Sequence, residues 1–311
     1  MSASAGPGRA PVVAVIGMAT VDYLYVLEHH PPADSVTPAL EYHTVLGGSG
    51  GRGAIAAKRL GGATRLLATC GKDVHARFLR EQLEAEGVEC TWIAYDQPSQ
   101  HSAVIVARAD ATRTIVWLPQ PMADTRALER LPGFLDGADV ALLDSTDGTL
   151  AAAALDVCER RGITTVLDTG SGRPWTRSLA GRAHHVIAPE KYVVKETGLA
   201  AEQAIPQLWS DPCRVVAVTQ GPSGGVFATG AAASPERWEA AAVSAVDSNG
   251  AGDTFHGAYA WAVATGLPPA ECFAVAAWSA GLKLTQPGNA GIPTLAQVEA
   301  ARRASRAPAR G

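Results

Sequence analysis

This chain of 311 residues lacks the features that mark several common classes of protein. Its five cysteines are odd in number and scattered without a C-x-x-C pair, which argues against a disulfide framework or a zinc site. The formal net charge is −4 and no long basic run is present, so a nucleic-acid partner is not expected. No apolar run reaches the length of a membrane span, and residues 1–11 lack the apolar core of a signal peptide. We therefore expect reduced thiols, a cytoplasmic location and small-molecule partners.

Short apolar runs alternate with helical stretches such as residues 151–161. Hydrophobic residues make up 47% of the chain, which is enough for a large buried core. This rhythm predicts βαβ units and a doubly wound, mostly parallel α/β sheet. Two of the runs end in Asp and one in Thr, at the strand ends that usually face the ligand crevice. The runs are residues 12–17, 140–144, 164–168, 185–188 and 215–219.

Two segments, 23–45 and 91–118, break this rhythm with aromatic and β-branched residues in partial alternation. They predict a small antiparallel β-sheet lid outside the main layer, with a hairpin over residues 101–117. We expect one domain over residues 12–299, with flexible termini at 1–11 and 300–311. Outward apolar residues of the lid predict a homodimer through it. These residues are Tyr23, Tyr25, Tyr42, Trp92 and Trp117.

The most informative motif is Val246-Asp247-Ser248-Asn249-Gly250-Ala251-Gly252-Asp253-Thr254-Phe255, which precedes a helical run. Gly250, Ala251 and Gly252 would open that helix, so that unpaired backbone N–H groups face an anion. Asp253 lies in the first turn, where its carboxylate could accept a hydroxyl proton as a phosphoryl group arrives. An ordinary helix start with an acidic first turn is the alternative for an isolated G-x-G-D string.

The whole motif closely resembles the C-terminal signature D-T-x-G-A-G-D-x-F of the ribokinase-like, or PfkB-type, carbohydrate kinases. The resemblance extends over about residues 12–299 and implies a ribokinase-like fold whose lid covers the acceptor. It implies that ATP with Mg²⁺ phosphorylates a sugar hydroxyl, with Asp253 as the catalytic base. Asn249 would then lie beside the nucleotide. Asp247 would lie near the nucleotide or a monovalent-cation loop, which implies K⁺ and makes Asp247 a candidate metal residue.

A second glycine-rich motif runs from Leu46 to Gly61 and contains G-x-G-x-x-G before a helix. A dinucleotide site, and so a nicotinamide-dependent dehydrogenase, is one alternative, but there the glycines follow the first buried strand directly. The motif resembles the kinase family's N-terminal signature, in which Gly47 and Gly48 bring backbone amides against the sugar. Arg52 stands where the family commonly has Asn. Its guanidinium is expected to bind an anionic group of the acceptor or to form a surface ion pair.

Two more positions belong to the acceptor side by the same resemblance. Asp22 follows the first strand, where the family uses an Asp to hold acceptor hydroxyls, although Asp is also common in turns. The segment 168–175 is similar to a D-x-N-x-R-P stretch of sugar-acid and fructose kinases. Its Arg173 could contact phosphates or anchor a loop.

The nucleotide side is also carried over from the family. Thr219, Gly221 and Gly224 match a T-x-G-x-x-G turn that lies along the nucleotide phosphates. The stretch 281–293, with Lys283 and Gly288, resembles the loop that borders the adenine. The N-x-x-E element that organises metal-bound waters is not matched. Glu190 is the one carboxylate near its expected place.

The acceptor is narrowed only by similarity to one branch of the family. Residues 255–258 and 283–293 are most similar to the branch that contains sulfofructose kinase, and Arg52 suits an anionic acceptor. The sequence thus favours a ketohexose-type sugar or sugar acid, such as sulfofructose or a deoxy sugar acid. Fructose, ribose and nucleosides stay open, as does a sugar-binding regulator without turnover. The P-loop string G-x-x-x-x-G-K-[ST] is absent, so a P-loop kinase is not expected.

Overall fold

The computed structural model describes residues 9–110, 112–119 and 123–306, without the side chain of Arg306. The predicted flexible segments fall largely outside these ranges, at residues 1–8 and 307–311, as does Ala111 of the predicted hairpin. In the described ranges, no helix combines the length and the hydrophobicity that a membrane crossing requires.

The main sheet has nine strands, numbered along the chain, in the order β13-β12-β11-β10-β9-β8-β1-β4-β5. The strands from β11 to β5 in this order all run parallel, and β12 and β13 add an antiparallel edge. The central strands are apolar throughout because helices cover both faces of the sheet. The bounds are β1 Val12–Ile16, β4 Ala63–Cys70, β5 Glu89–Ala94, β8 Val140–Asp144, β9 Thr164–Asp168, β10 His185–Pro189, β11 Val215–Thr219, β12 Gly225–Ala228 and β13 Glu236–Trp238.

Helices pack on both faces and form two separate hydrophobic clusters, which confirms the doubly wound arrangement. One face carries α1 Ser49–Arg59, α2 Val74–Ala85, α8 Ala251–Ala264, α9 Pro269–Leu284 and α10 Leu295–Arg306. The other carries α3 Thr125–Phe134, α4 Gly148–Arg161, α5 Thr176–Ala180, α6 Glu190–Thr197 and α7 Ala201–Leu208.

Local sequence explains where several of these helices begin and end. The carboxylates of Asp73 and Asp147 precede α2 and α4 and accept hydrogen bonds from the N–H groups of Ala76 and Leu150. Gly162 ends α4 in the left-handed conformation at φ 67°, which glycine adopts without steric cost.

The small sheet lies outside the main layer, as predicted, and has the order β3-β2-β6-β7. Its strands are β2 Thr20–Leu27, β3 Glu41–Gly47, β6 His101–Ala107 and β7 Thr112–Leu118. Hairpins join β2 to β3 and β6 to β7, and the central pair β2–β6 runs parallel. The predicted lid segment 91–118 begins too early, because residues 89–94 form β5 at the edge of the main sheet. Trp92 therefore packs against the main core and does not belong to the small sheet.

The C-terminal helix also corrects a predicted boundary. Helix α10 continues to Arg306, whereas the flexible end was predicted from residue 300. Val298 is fully buried and Arg302 pairs with Glu271 at 2.5 Å, so both apolar and ionic contacts hold this helix against α9.

All five cysteines are free, and four of them are buried. Cys90 is the partly exposed one. Burial raises the pKa of its thiol to about 12 and that of Cys158 to about 12. The structure thus agrees with reduced thiols that pack as small apolar groups.

Candidate active site

The first turn of α8 carries Asp253 and lies beside the carboxyl ends of the central strands. Gly250 precedes the helix with φ 82°, and no side chain caps the helix start. The N–H groups of the first turn have no partner within an α-helix, so this end attracts anions. Gly250, Ala251 and Gly252 thus stand where the sequence predicts an anion hole. The Asp253 side chain is 24% exposed beside it.

Arg52, on the first turns of α1, joins the two carboxylates that the sequence singled out. Its Nη2 donates to Asp22 Oδ2 at 2.8 Å, and its Nη1 lies 3.4 Å from Asp253 Oδ2. Asn249 and Asn289 accept longer hydrogen bonds of 3.5 and 3.3 Å from the same guanidinium. The side chain is only 4% exposed, so the expected surface ion pair is wrong and a buried one takes its place. Its positive charge is balanced by Asp22 and Asp253 in this conformation.

Asp22 lies on β2 of the small sheet and is held on both carboxylate oxygens. Oδ1 accepts a hydrogen bond of 2.6 Å from Ser102 Oγ on β6, and Oδ2 accepts the bond from Arg52. Gly47 is required opposite, because a Cβ there would collide with the Asp22 carboxylate. Gly48 has φ 87° and approaches the backbone of Met18. The glycine segment follows β3 of the small sheet. In a dinucleotide-binding unit, by contrast, the glycines directly follow the first strand of the main sheet.

A polar cluster that the sequence did not assign lies behind Asp253. Asp144 ends β8 and accepts hydrogen bonds from Met18 N at 2.7 Å and Ser49 Oγ at 2.5 Å. His256 Nδ1 donates to the carbonyl of Gly252 at 2.7 Å and lies 3.3 Å from Asp168 Oδ2 at the end of β9. Burial raises the pKa of both the Asp144 and the Asp168 carboxyl groups. In the sequence, Asp144 and Asp168 are recognisable as polar residues at the ends of apolar runs.

A cavity of about 230 Å³ opens next to Asp144, between the small sheet and the strand ends. Its walls include the indoles of Trp117 and Trp175. The Arg173 guanidinium stacks over the Trp117 ring at 5.2 Å, so this residue lines the cavity. Gln100 lies in the same wall, and its buried Oε1 has no hydrogen-bond partner. No motif or pattern in the sequence indicates Gln100 as a site residue.

Asp247, Asn249, Lys283 and Gly288 come together in one hydrogen-bond network. Lys283 Nζ donates to Asp247 Oδ2 at 2.8 Å and to its carbonyl oxygen at 3.0 Å. The N–H groups of Asn249 and Gly288 also donate to the Asp247 carboxylate, at 2.8 and 2.9 Å. Lys283 is 0% exposed, so its ammonium does not face a nucleotide, contrary to its predicted role.

The ionisation of this pair follows from burial and contact. Burial lowers the pKa of Lys283, and the hydrogen bond with Asp247 partly opposes the shift. Burial alone would raise the pKa of Asp247, but the Lys283 hydrogen bond and two N–H donors lower it overall. The shift of Asp247 favours its charged form, and the 2.8 Å distance to Lys283 Nζ is that of an ion pair.

The predicted phosphate turn connects β11 to β12. Thr219 ends β11, and Gly221 begins a short 3-10 helix, Gly221–Ser223. Gly224 has φ 75°, and a Cβ there would collide with the Trp238 carbonyl. Glu190 begins α6 beside this turn and accepts a 2.8 Å hydrogen bond from Gln220 Nε2.

The two candidate metal residues do not fit a direct metal site. Both carboxylate oxygens of Asp247 are held by Lys283, Asn249 and Gly288, and Glu190 is engaged by Gln220. In the part of the chain that the structure describes, no three His, Cys, Asp or Glu side chains group as metal ligands. Direct ligation of Mg²⁺ by these two carboxylates would therefore require their present hydrogen bonds to break.

Comparisons with known proteins agree with this geometry. Residues 11–295 match the family model described as pfkB family carbohydrate kinase. The ribokinase of Bacillus subtilis (strain 168) is 23% identical over 295 residues, which cover 92% of this chain and 98% of that protein. A solved ribokinase of Thermotoga maritima has a TM-score of 0.82 at 21% identity, covering 94% of this chain and 99% of that one. The Arabidopsis thaliana ribokinase complexed with ribose and ATP has a TM-score of 0.79 at 22% identity, with coverages of 94% and 99%.

Proposed function

Since this chain belongs to the PfkB family of carbohydrate kinases, we propose that it phosphorylates a hydroxyl of a pentose-type acceptor with ATP, using Asp253 as the general base. The observation that carries the proposal is the pairing of Asp253 with the uncapped start of α8. The chemistry requires a proton acceptor beside a site for negative charge, and both are present on one helical turn.

The proposed mechanism follows from this arrangement. Asp253 accepts the proton of the acceptor hydroxyl as the hydroxyl oxygen attacks the terminal phosphoryl group of ATP. The bond from that phosphorus to the β-phosphate oxygen breaks, and ADP leaves. The backbone N–H groups of Gly250, Ala251 and Gly252 stabilise the charge on the phosphoryl oxygens, aided by the positive end of the helix dipole. The Arg52 guanidinium, 3.4 Å from Asp253 Oδ2, holds this carboxylate in place before the acceptor enters. The small sheet covers the site and limits the access of water, a competing acceptor.

Arg52 bears on the choice between neutral and anionic acceptors. Its guanidinium already contacts two carboxylates, Asp22 and Asp253, so no net positive charge is left for an acidic sugar. An acceptor that supplies only neutral hydroxyl groups is therefore proposed here, in place of sulfofructose or a sugar acid. The ribokinases among the similar proteins support a ribose-type acceptor.

The cavity beside Asp144 favours a nucleoside as a second candidate acceptor. Its volume of about 230 Å³ is more than tenfold the roughly 10–15 Å³ that one ordered water needs. Two indoles, Trp117 and Trp175, can stack against a planar ring, and the polar side chain of Gln100 lies in the same wall. Free ribose would leave these groups unused.

ADP release in the presence of D-ribose, inosine, fructose or a sugar acid tests the proposal. We expect turnover with D-ribose or inosine, and a loss of roughly 10²- to 10⁴-fold in kcat in Asp253→Asn. ATP binding, measured by calorimetry, should be retained, since the variant keeps the size of the side chain. Asp34→Asn, in an exposed loop, is the matched control and should keep full activity.

Two results would contradict the proposal. Activity of Asp253→Asn within threefold of wild type would exclude Asp253 as the base. ATP binding without ADP release from any acceptor would favour the alternative of a sugar-binding regulator.

A further inference from the structure

The buried Lys283 ammonium lies against Asp247, the residue that the family resemblance places near a monovalent-cation or nucleotide loop. Two oxygens of one residue, the Asp247 carbonyl and carboxylate, accept its hydrogen bonds at 3.0 and 2.8 Å. Carbonyl and carboxylate oxygens are also the groups that replace the hydration shell of K⁺. The Lys283 side chain is 0% exposed, so the ammonium is shielded from solvent.

The surroundings of Lys283 are built for one positive charge. The residue lies in the last turn of α9, where the helix dipole favours a cation. Asp247 supplies the opposite charge, and its Oδ2 also accepts the N–H of Gly288. A second cation beside the ammonium would meet a carboxylate whose charge is already balanced. The site therefore holds either the ammonium or a metal ion, but not both.

The ammonium also connects segments that matter for the anion hole. Asp247 begins the segment that leads to Gly250, and its N–H bonds to the Leu284 carbonyl at 3.0 Å. Gly288 belongs to the short 3-10 helix Gly288–Gly291, whose Gly291 lies against the Lys283 backbone. One charged group thus fixes the end of α9, the 3-10 helix and the approach to α8.

We infer that the Lys283 ammonium replaces the monovalent cation that the family resemblance implies, so that this protein needs no K⁺ to hold the segment before α8. The position of the ammonium is independent of the proposed function, and only its effect on turnover rests on that function. K⁺ is therefore expected to change neither the stability nor the activity of the wild-type protein.

The test compares thermal unfolding in KCl and in tetramethylammonium chloride at equal ionic strength, without any acceptor. The melting temperature of wild type should agree within about 1 °C between the two salts, because the site is filled. In Lys283→Ala, which opens a space bounded by the Asp247 oxygens, the melting temperature should fall. K⁺ should then raise it by about 2–3 °C over tetramethylammonium, because an ion that binds only the folded state stabilises it.

Two variants serve as controls. Lys283→Met removes the charge but fills the space, so its melting temperature should fall without recovery in K⁺. Lys72→Ala, which removes an exposed lysine, should behave as wild type in both salts.

The outcomes separate this inference from the proposed function. A melting temperature of wild type that rises by several degrees in K⁺ would overturn the inference, and this measurement needs no variant to fold. A folded Lys283→Ala that is indifferent to K⁺ would also overturn it. ADP release by wild type should likewise agree within about twofold between the salts. Absence of turnover in both would count against the proposed function alone.

Discussion

The buried contacts of Arg52 lead to a prediction about stability. In Arg52→Met the side chain replaces the aliphatic part of Arg52 but lacks the guanidinium, so Asp22 loses its partner at 2.8 Å. The Asp22 side chain is 7% exposed, so water cannot replace the lost contact. Removing one partner of a buried pair typically costs about 3–5 kcal/mol. We expect the lower end of this range, because Ser102 still donates to Asp22.

The assay is urea denaturation of the purified protein, followed by circular dichroism. Arg52→Met should lower the free energy of unfolding by about 3 kcal/mol with an unchanged slope against urea. The double variant Arg52→Met/Asp22→Asn should recover at least about 2 kcal/mol of the summed losses, because no uncompensated charge stays buried. The exposed pair Lys72–Asp96 is the control, and the same cycle there should give no measurable coupling.

Two outcomes would refute this reasoning. A loss below about 1 kcal/mol in Arg52→Met would mean that the guanidinium is solvated in solution and that the small sheet stands away from α1. Additive losses in the double variant would mean that Arg52 and Asp22 contribute through packing and not through their charges.

Three further predictions follow from single positions. Gly250→Ala should lower the free energy of unfolding by about 1–3 kcal/mol, because φ is 82° and the new Cβ would lie 2.5 Å from Arg52 Cδ. Gly252→Ala, whose Cβ meets nothing within 4 Å, should keep it in the same urea assay. Burial lowers the pKa of His185 to about 3, so the unfolded chain binds more protons and stability falls by about 1.4 kcal/mol per pH unit below about pH 6.5. His185→Gln should show a shallower loss between about pH 7 and 5, and equal slopes would contradict this. The exposed apolar side chains of β7 predict a homodimer through the small sheet. Light scattering should give twice the monomer mass for wild type and the monomer mass for Val116→Glu. A monomeric wild type would exclude this dimer.

Much of the fold was predictable, because strands buried on both faces leave a direct record in the sequence. The runs that end at Asp144 and Asp168 predicted both the strands and the edge at which polar groups meet. The assignment of residues 91–94 was wrong, since partial alternation describes an edge strand of a large sheet as well as a strand of a small one. Only its pairing with β4 decides between them.

The sequence named several residues that the structure brings together, but it did not indicate which of them contact each other. The glycines and Asp253 follow from a local motif, whereas the partners of Arg52 lie 30, 201 and 237 positions away in the chain. Burial determines the contacts of these charges. Arg52 lies between the carboxylates of Asp22 and Asp253, and Lys283 is paired with Asp247 in the interior. Sequence gives the type of a charged group but not its degree of desolvation, which depends on the whole assembled core.

The four buried cysteines and the partly exposed Cys90 make this protein suited to site-specific labelling. The thiolate is the form that reacts with maleimides, and a thiol with a pKa of about 12, such as that of Cys90, is almost entirely protonated at neutral pH. A cysteine introduced at the exposed Val36, in the loop between β2 and β3, would therefore react far faster than the native thiols. A fluorophore at that position would test whether the small sheet moves when ATP and a sugar are added, with every native cysteine kept in place.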